Sequence, residues 1–468
     1  MTSPGRTNTT LLLWGLVSAG TVIRILLAAS IPLFDDEAYY WLWSKAIAGS
    51  YLDHPPFIAY LIRFGTILGE EPLWIRLGPL VVGAATTLVL FALGREMFGE
   101  RAGLVAAAAY QVTPVLAGAG FLATPDTPLF LWWTLALLWG WRALHRHPRW
   151  WLAAGIAIGC AMLSKLSTLL LVLGIVAFAL TRRPVAFRAP AAYAGAALAV
   201  AVFSPVLVWN ATHDWANADF VLRHRVWEQP RGLPGLVTMA TEQLGLALFL
   251  FFVFVWAAGA ALRRWGDDRY AFLLWTSLPP VLFMLFVAYF QGSAHGVWAG
   301  SAYLGLAVVL GGLRTGRAAL AAFAANALLL LYVVFALWVP QIPAPPGTTE
   351  ELYGWPEVAR HVEALASQLP PPVIVAVDRY KYAAQLAYHT RRQIPVVFLP
   401  APHKHSIWPA PAEVASASAV WILEAGAEQW VKPEAFYAAV QELPPLVVEV
   451  RGRAARTFRI WAATGRTR

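Results

Sequence analysis

The feature that most restricts the fold of this chain is a series of apolar runs, each close to the length of a membrane-spanning helix. A helix needs about 20 predominantly apolar residues to cross the hydrocarbon core of a bilayer. Charged residues make up 13% of the 468 residues, whereas soluble domains carry roughly 25%. Lipid is therefore the expected solvent for most of the chain, and the pattern predicts a polytopic integral membrane protein.

We predict eleven spans from these runs. The run from 150 to 181 could form one long helix or two short ones. With two helices, most basic residues in short loops lie on one side, as the positive-inside rule requires of cytoplasmic loops. We therefore predict a hairpin with Ser164 and Lys165 at its outer tip, a cytoplasmic N-terminus and an outer C-terminus. The predicted spans are 11–33, 74–93, 103–122, 128–144, 150–163, 166–181, 189–209, 236–262, 270–290, 296–313 and 318–338.

The composition changes after about residue 339, where four prolines form a predicted linker. We predict a transmembrane domain over 1–340, with interfacial helices in a first outer loop at 34–73, and a soluble domain over 341–468. The predicted fold class is an all-α membrane bundle with a small C-terminal α/β domain. Its predicted helices are 355–368, 379–389 and 432–442, and its predicted strands are 373–377, 395–399, 420–423, 446–450 and 457–461.

Ionisable groups at a membrane boundary are costly, so each one needs a reason to be there. On the predicted outer side they collect at the ends of spans, where helices of one bundle can face a common cavity. We predict that this convergence marks an active site. The groups are Asp35, Asp36 and Glu37; Asp53 and His54; Asp126; and Lys165.

These residue types fit transfer from a phosphate-activated donor. A carboxylate can take a proton from an acceptor hydroxyl or amine. Lys165, His54 or Arg225 could neutralise a phosphate leaving group, and stabilising such developing charge is often the largest catalytic contribution. No nucleotide is expected in the outer leaflet, so a lipid phosphate is the expected donor. His295 is predicted either to line the cavity or to mark only the interface.

Several of these groups also have structural interpretations. Asp35 and Asp126 could be helix caps, since Asp is favoured at that position, and Lys165 could extend to the lipid headgroups. Asp53 and Glu37, with His54, could supply ligands for a divalent ion such as Mg²⁺, Mn²⁺ or Zn²⁺, although no spacing is diagnostic. No organic cofactor is predicted. The net charge of +9 is assigned to cytoplasmic loops, so nucleic-acid binding is not predicted.

A set of short motifs resembles one family of membrane enzymes. The chain is similar to bacterial integral-membrane glycosyltransferases of the C-type fold, related to the protein O-mannosyltransferases and to the lipid A aminoarabinose transferase. The motifs are Asp35-Asp36-Glu37-Ala38-Tyr39-Tyr40-Trp41, Tyr51-Leu52-Asp53-His54-Pro55-Pro56, Thr124-Pro125-Asp126-Thr127-Pro128, Leu163-Ser164-Lys165, Trp209-Asn210 with His213 and Trp215, and Tyr353-Gly354-Trp355 followed by Asp378-Arg379-Tyr380.

The resemblance implies a role for each site residue. It places the catalytic carboxylate on Asp36 or Glu37, with Asp36 as the general base, and it places a phosphate-contacting lysine on Lys165. Asp53 and His54 fall on an acidic-Lys-Pro-Pro motif, whose acid lies near a metal and whose lysine lies near the donor phosphate. Here His54 stands in place of that lysine, and His is only partly charged near neutral pH. An inverting, direct displacement is implied.

The predicted function is transfer of one sugar from a polyprenyl-phosphate donor to an envelope acceptor, on the periplasmic face of a bacterial inner membrane. The acceptor could be lipid A or another glycolipid, a polysaccharide or a protein. We predict a monomer in contact with membrane lipids. A transporter or flippase of a lipid-linked or anionic substrate is the alternative, and a catalytically inactive scaffold is a third. Against a transporter, no internal repeat is visible and the charges collect at one face.

Overall fold

The computed structural model describes residues 4–220, 231–290, 292, 296–339, 352–398, 417–425, 433–450 and 452–466. The chain forms two compact units. The first, called the membrane unit below, consists of residues 1–29 and 48–332. The second, called the distal unit, consists of residues 30–47 and 333–468.

Helices make up nearly all regular structure before residue 339. Short 3-10 turns lie at Pro184–Arg188, Gly296–Ala299 and Pro433–Ala435. In chain order the helices are α1 (Pro4–Ser30), α2 (Asp35–Lys45), α3 (Phe57–Gly65), α4 (Pro72–Ile75), α5 (Leu77–Phe98), α6 (Glu100–Val112), α7 (Pro114–Ala119), α8 (Asp126–His145), α9 (Trp150–Ser164), α10 (Thr168–Arg182), α11 (Pro190–Thr212), α12 (Ala216–Asp219), α13 (Leu233–Ala247), α14 (Phe249–Leu262), α15 (Asp268–Phe290), α16 (Ala302–Gly312), α17 (Arg317–Trp338), α18 (Trp355–Ala366) and α19 (Tyr380–His389).

Several of these helices are long and apolar enough to cross a membrane. Within the described residues they are α1, α5, α11, α15 and α17, and the bent pair α13–α14 makes a sixth if it counts as one span. The helices α9, α10 and α16 are apolar but shorter. The chain is thus a multi-pass membrane protein, and the total of eleven spans stays a prediction. The predicted break at Ser164 and Lys165 is confirmed, since α9 ends at Ser164 and α10 begins at Thr168.

Two predicted spans contain breaks that hydropathy does not reveal. The span predicted over 103–122 divides between α6 and α7, with Pro114 at the start of α7. Proline lacks the N–H that would continue the helix and is favoured at a first helical position. The span predicted over 236–262 divides at Leu248, which has a φ of +52°, and α13 and α14 meet there at a bend of 105°.

Asn326 of α17 supplies the hydrogen bonds that the break at Leu248 removes. Its Nδ2 donates to the Ala247 carbonyl at 2.9 Å, and its Oδ1 accepts the Leu250 amide at 3.3 Å. Asn326 is fully buried. In an apolar environment an unpaired backbone group is costly, so broken helices need such partners. A buried polar residue in α17 therefore makes the bend between α13 and α14 possible.

The helices that carry the predicted site residues pack closely. Trp133 and Phe130 of α8 are fully buried in the main core of the membrane unit, together with Phe178 of α10 and Phe272 of α15. α8 packs along α9, and α9 packs along α11. At Gly155 of α9, an added Cβ would meet the backbone of α11, so glycine permits this close approach. These contacts hold α8, α9 and α11 together within the membrane unit.

The distal unit contains a five-stranded sheet in the order β2-β1-β3-β5-β4. β1 pairs in parallel with β2 and β3, and β5 pairs antiparallel with β3 and β4. Trp421, Trp461 and Ile374 lie in the buried core of this unit. The predicted small α/β domain is confirmed as an α/β fold. The strands are β1 (Val373–Val377), β2 (Val396–Phe398), β3 (Ser418–Glu424), β4 (Tyr437–Val450) and β5 (Arg453–Arg466).

All five predicted strands of this unit are present, but the helix predicted over 432–442 is wrong. Residues from Tyr437 onward form β4, which pairs with β5. The stretch is rich in Ala and Glu, which favour helices, and this preference is overridden by pairing with β5. Pro444 and Pro445 lie where the register of that pairing shifts, as expected for proline at a sheet irregularity.

The helix α2 belongs to the distal unit, although it lies early in the chain. It packs against α19, with Tyr39 against Tyr380 at 4.9 Å between ring centroids and Trp41 against Tyr388 at 5.1 Å. Edge-on and tilted aromatic pairs at such distances are favourable. The first outer loop predicted over 34–73 is therefore divided: α2 packs in the distal unit and α3 in the membrane unit.

Candidate functional site

The three predicted acids of the first motif occupy the first turn of α2. Carboxylates are stabilised there by the partial positive charge of a helix N-terminus. Phe34 is the N-cap residue, so the interpretation of Asp35 as the N-cap is wrong. Glu37 Oε2 accepts the Phe34 amide at 3.1 Å, and this bond satisfies an amide that the helix itself leaves unpaired.

The three acids differ in exposure. Asp35 is 3% exposed and Glu37 is 0% exposed, whereas the Asp36 side chain is 46% exposed. A group that takes a proton from a substrate must come within hydrogen-bond reach of it. Of the three side chains, that of Asp36 is open to solvent, while Asp35 and Glu37 are buried and accept hydrogen bonds from Gln385 and the Phe34 amide.

Residues of α19 surround this acidic turn within the distal unit. The Tyr380 hydroxyl donates to Asp36 Oδ1 at 3.3 Å, and Lys381 Nζ lies 3.8 Å from the same oxygen. Gln385 Nε2 donates to Asp35 Oδ1 at 2.8 Å. Sequence reasoning missed Lys381 and Gln385 and gave Tyr380 no role. The one signal for this helix was the resemblance at Asp378-Arg379-Tyr380, which ends directly before Lys381.

Asp126 and Lys165 meet in the membrane unit. Lys165 Nζ lies 2.8 Å from Asp126 Oδ1 and 2.9 Å from Oδ2. The two residues come from the start of α8 and from the turn that follows α9, and Lys165 is 8% exposed. Asp126 is the first residue of α8, and Pro125 is its N-cap residue. The ammonium group is therefore held by a carboxylate in a largely buried position.

The turn that carries Asp53 and His54 lies at the same end of the membrane unit. His54 is 7% exposed, and its carbonyl accepts the Tyr51 amide at 3.2 Å. Phe57 begins α3 and packs against a buried cluster that contains Leu163. Leu163 lies two residues before Lys165 in the chain. The structure thus brings the Asp53-His54 turn and the Asp126–Lys165 pair to one end of the helices.

Asn217 is a further residue that the sequence did not single out. Its Nδ2 donates to the carbonyls of Tyr51 and Leu52, at 3.0 Å and 2.8 Å. Asn217 is buried, and it lies in the short helix α12 just after the Trp209-Asn210 motif. Because it binds both carbonyls, Asn217 fixes the backbone that leads into Asp53. The Tyr51 side chain is buried as well, which raises the pKa of its hydroxyl, so this hydroxyl stays protonated.

Two predicted site residues, Arg225 and His295, lie outside the described residues. The acids of α2 belong to the distal unit, whereas Asp53, His54, Asp126 and Lys165 belong to the membrane unit. The convergence of all four groups in one cavity stays a prediction.

The predicted metal ligands do not form a ligand set among the described residues of either unit. Among the residues that the structure describes, no three His, Cys, Asp or Glu side chains lie together in a way that could hold a metal ion. Asp53 and Glu37 fall in different units, and Glu37 accepts a backbone amide.

Comparison with known proteins gives two sequence matches. Residues 53–209 match the family model described as dolichyl-phosphate-mannose-protein mannosyltransferase. The chain is 31% identical over 372 residues to the lipid A galacturonosyltransferase RgtD of Rhizobium johnstonii, covering 76% of this chain and 78% of that protein. The match to the family model includes Asp53, His54, Asp126 and Lys165.

Solved structures show the same fold. The apo crystal structure of ArnT from Cupriavidus metallidurans matches with a TM-score of 0.68 at 15% identity, covering 98% of both chains. The structure of the same protein bound to undecaprenyl phosphate gives a TM-score of 0.67 at 15% identity, covering 96% of this chain and 97% of that one. The family resemblance predicted from the motifs is confirmed. This multi-pass inner-membrane protein belongs to the bacterial glycosyltransferases of the C-type fold that are related to the protein O-mannosyltransferases.

Proposed function

We propose that this glycosyltransferase moves one sugar from a polyprenyl-phosphate donor to lipid A or a related envelope glycolipid. The similarity to a lipid A galacturonosyltransferase over about three quarters of both chains carries the proposal. The fold shared with ArnT, which has been solved with undecaprenyl phosphate, supports a polyprenyl-phosphate donor. The identity of the sugar is left open by both comparisons.

Lys165 is proposed to contact the donor phosphate. Its ammonium is held by both oxygens of Asp126 at 2.8 and 2.9 Å, so its position is fixed before a substrate arrives. When the bond between the anomeric carbon and the phosphate oxygen breaks, the leaving phosphate gains negative charge. A fixed cation in a largely buried position stabilises that charge more strongly than a mobile one in water. His54 and Asp53 are proposed to lie beside the same phosphate, as is Arg225.

Asp36 is proposed as the general base. The acceptor hydroxyl loses its proton to Asp36 while its oxygen forms a bond to the anomeric carbon. The electron pair of the broken bond leaves with the polyprenyl phosphate. Because the acceptor attacks from the side opposite the phosphate, the anomeric configuration is inverted. Asp35 and Glu37 are proposed to hold the first turn of α2, and His295 is proposed to line the cavity.

The site is proposed to act on the periplasmic face, with the N-terminus in the cytoplasm and the distal unit outside. The basic residues of short loops support this orientation. The protein is proposed to work as a monomer. A divalent ion at Asp53 stays an open proposal, because a donor phosphate could complete a ligand set that the described side chains leave incomplete.

The test is a transfer assay with purified protein in liposomes. Labelled polyprenyl-phosphate sugars and lipid A are supplied, and the label on lipid A is measured for wild type, Asp36→Asn and Lys165→Met. Arg459→Gln is the matched control, since Arg459 lies in an exposed ion pair with Glu442. We expect transfer by wild type and the control, and a loss of at least about 100-fold in both site variants. Movement of the donor across the bilayer without transfer would instead support the transporter.

A further inference from the structure

Gln385 is a completely buried glutamine in the middle of α19. Its Nε2 donates to Asp35 Oδ1 at 2.8 Å and to the Leu33 carbonyl at 3.1 Å. Both partners are hydrogen-bond acceptors, so the nitrogen of the carboxamide must face them. The Oε1 atom has no hydrogen-bond partner within the described part of the chain. The hydrogen bonding that this buried side chain contributes is therefore directed at the start of α2.

These bonds fix consecutive residues at the entry to α2. The Leu33 carbonyl and the Asp35 carboxylate are held by Gln385, while the Phe34 amide between them is bound by Glu37 at 3.1 Å. The backbone that leads into the first turn is thus held from α2 itself and from α19. Because Asp36 is the next residue, its side-chain direction is set by this turn.

The direction of Asp36 matters because it is the exposed acid of the turn, with a 46% exposed side chain. A displacement of about 1 Å at a reacting group can cost on the order of 100-fold in rate. Tyr380 and Lys381, which contact Asp36, lie on the same helix as Gln385. The helix α19 therefore contacts both the buried Asp35 and the exposed Asp36.

We infer that Gln385 is a positioning residue: it orients the acidic turn of α2 so that Asp36 can take the acceptor proton. The inference rests on the proposed function, in which Asp36 is the general base. It gives the distal unit a direct part in the reaction, through α19, without contact between Gln385 and any substrate.

Replacement of Gln385 by Glu separates positioning from simple support of the fold. In the Gln385→Glu variant, a protonated carboxyl keeps one donor, which can serve Asp35, and loses the donor to the Leu33 carbonyl, whereas an ionised carboxylate has no donor. Two carboxyls this close share a proton, and one pKa is strongly raised. We expect Gln385→Glu to keep part of its kcat at about pH 6 and to lose at least a further tenfold at about pH 8, with an unchanged KM for the donor.

The matched control is Gln368→Glu, because Gln368 is exposed, lies just after α18, and its Nε2 donates to the Ala364 carbonyl of that helix. It should follow the wild-type pH profile. Gln385→Met, which cannot donate at any pH, should lower kcat about tenfold or more throughout. A wild-type pH profile in Gln385→Glu together with a wild-type kcat in Gln385→Met would overturn the inference. If Gln385→Met does not fold, the pH profile of Gln385→Glu decides alone.

Hydrogen exchange provides a readout that does not depend on transfer. We expect the amides of the first turn of α2 to exchange at least tenfold faster in Gln385→Met, or in Gln385→Glu at about pH 8, than in wild type and Gln368→Glu at the same pH. Unchanged exchange would overturn the positioning role. If wild type transfers no sugar, the proposed function fails, and this exchange measurement still decides whether Gln385 holds the turn.

Discussion

The buried pair of Asp126 and Lys165 allows the electrostatic part of the reaction to be separated from the stability of the fold. We consider Asp126→Asn, Lys165→Met, and the double variant Asp126→Leu with Lys165→Met. The side chains are 19% and 10% exposed, so both charges lie largely out of water. Asp126→Asn leaves the charge of Lys165 without its partner, Lys165→Met leaves the charge of Asp126 without its partner, and the double variant removes both charges.

The structure sets the expected magnitudes. At the 2.8 Å separation of Nζ and Oδ1, the attraction is about 6 kcal/mol for an effective dielectric constant of about 20. Most of this offsets the loss of hydration when the charges are buried. Removing one partner typically destabilises by about 3–5 kcal/mol, because an uncompensated charge remains, whereas replacing both partners by apolar groups is often neutral.

Each single variant should therefore lower the apparent Tm, on the order of 5–10 °C, and the double variant should recover most of that loss. Lys165→Met and the double variant should both lose about 100-fold in kcat, because the cation that stabilises the leaving phosphate is missing. Recovered stability without recovered activity is the expected signature of a charge with a catalytic role.

Thermal unfolding can be followed with a thiol-reactive dye, since Cys160 is the single cysteine and lies in α9, one turn before Lys165. Transfer is then measured on the same preparations. Wild-type transfer by the double variant would refute the role of Lys165 at the donor phosphate. A single variant more stable than wild type would refute the reasoning about the buried pair.

Three other predictions follow from separate contacts. Asp36→Asn should lose about 100-fold or more in kcat with little change in Tm, because the side chain is 46% exposed; a large loss of Tm would contradict this. Asn326→Leu should destabilise the membrane unit by about 2–4 kcal/mol, because it leaves the Ala247 carbonyl and the Leu250 amide unpaired; a wild-type Tm would contradict it. Burial lowers the pKa of His389 to about 4, below its value of about 6.5 in unfolded chains. The unfolded chain then binds more protons between these values, so stability should fall as the pH drops from about 6.5 to about 4, by about 2 kcal/mol. His389→Leu should remove this part of the dependence of stability on pH, as measured by thermal unfolding between about pH 4 and pH 6.5. An unchanged dependence in the variant would contradict the lowered pKa of His389.

Much of the membrane unit could be predicted because hydropathy and loop charge depend only on the order of residues along the chain. The break between α9 and α10 followed from the positive-inside rule, and Lys165 was placed at the turn between them. The bend at Leu248 could not be predicted in this way. It depends on Asn326, which is distant in sequence and supplies hydrogen bonds only once α17 has packed. A helix can break inside an apolar run when another helix provides the missing partners.

The candidate site was only partly predictable for a related reason. Ionisable residues at a span end could be recognised from their cost, and so Asp36, Asp126 and Lys165 were predicted as site residues. The pairing of Asp126 with Lys165 required the packing of α8 along α9. Gln385 and Asn217 are neutral amides without a motif, and their roles arise from where their donors point. Helix propensity gave a wrong prediction from Tyr437 onward, where pairing with β5 outweighs a sequence that favours a helix.

The most direct test of the central claim is to measure both products of one reaction mixture. Purified protein, a polyprenyl-phosphate sugar and lipid A are incubated together, and the anomeric configuration of the new glycosidic bond is determined by NMR. We predict that each lipid A molecule modified gains one sugar, that one polyprenyl phosphate is released for it, and that the configuration is opposite to that in the donor. Consumption of the donor without glycosylated lipid A, or a product with retained configuration, would contradict the account.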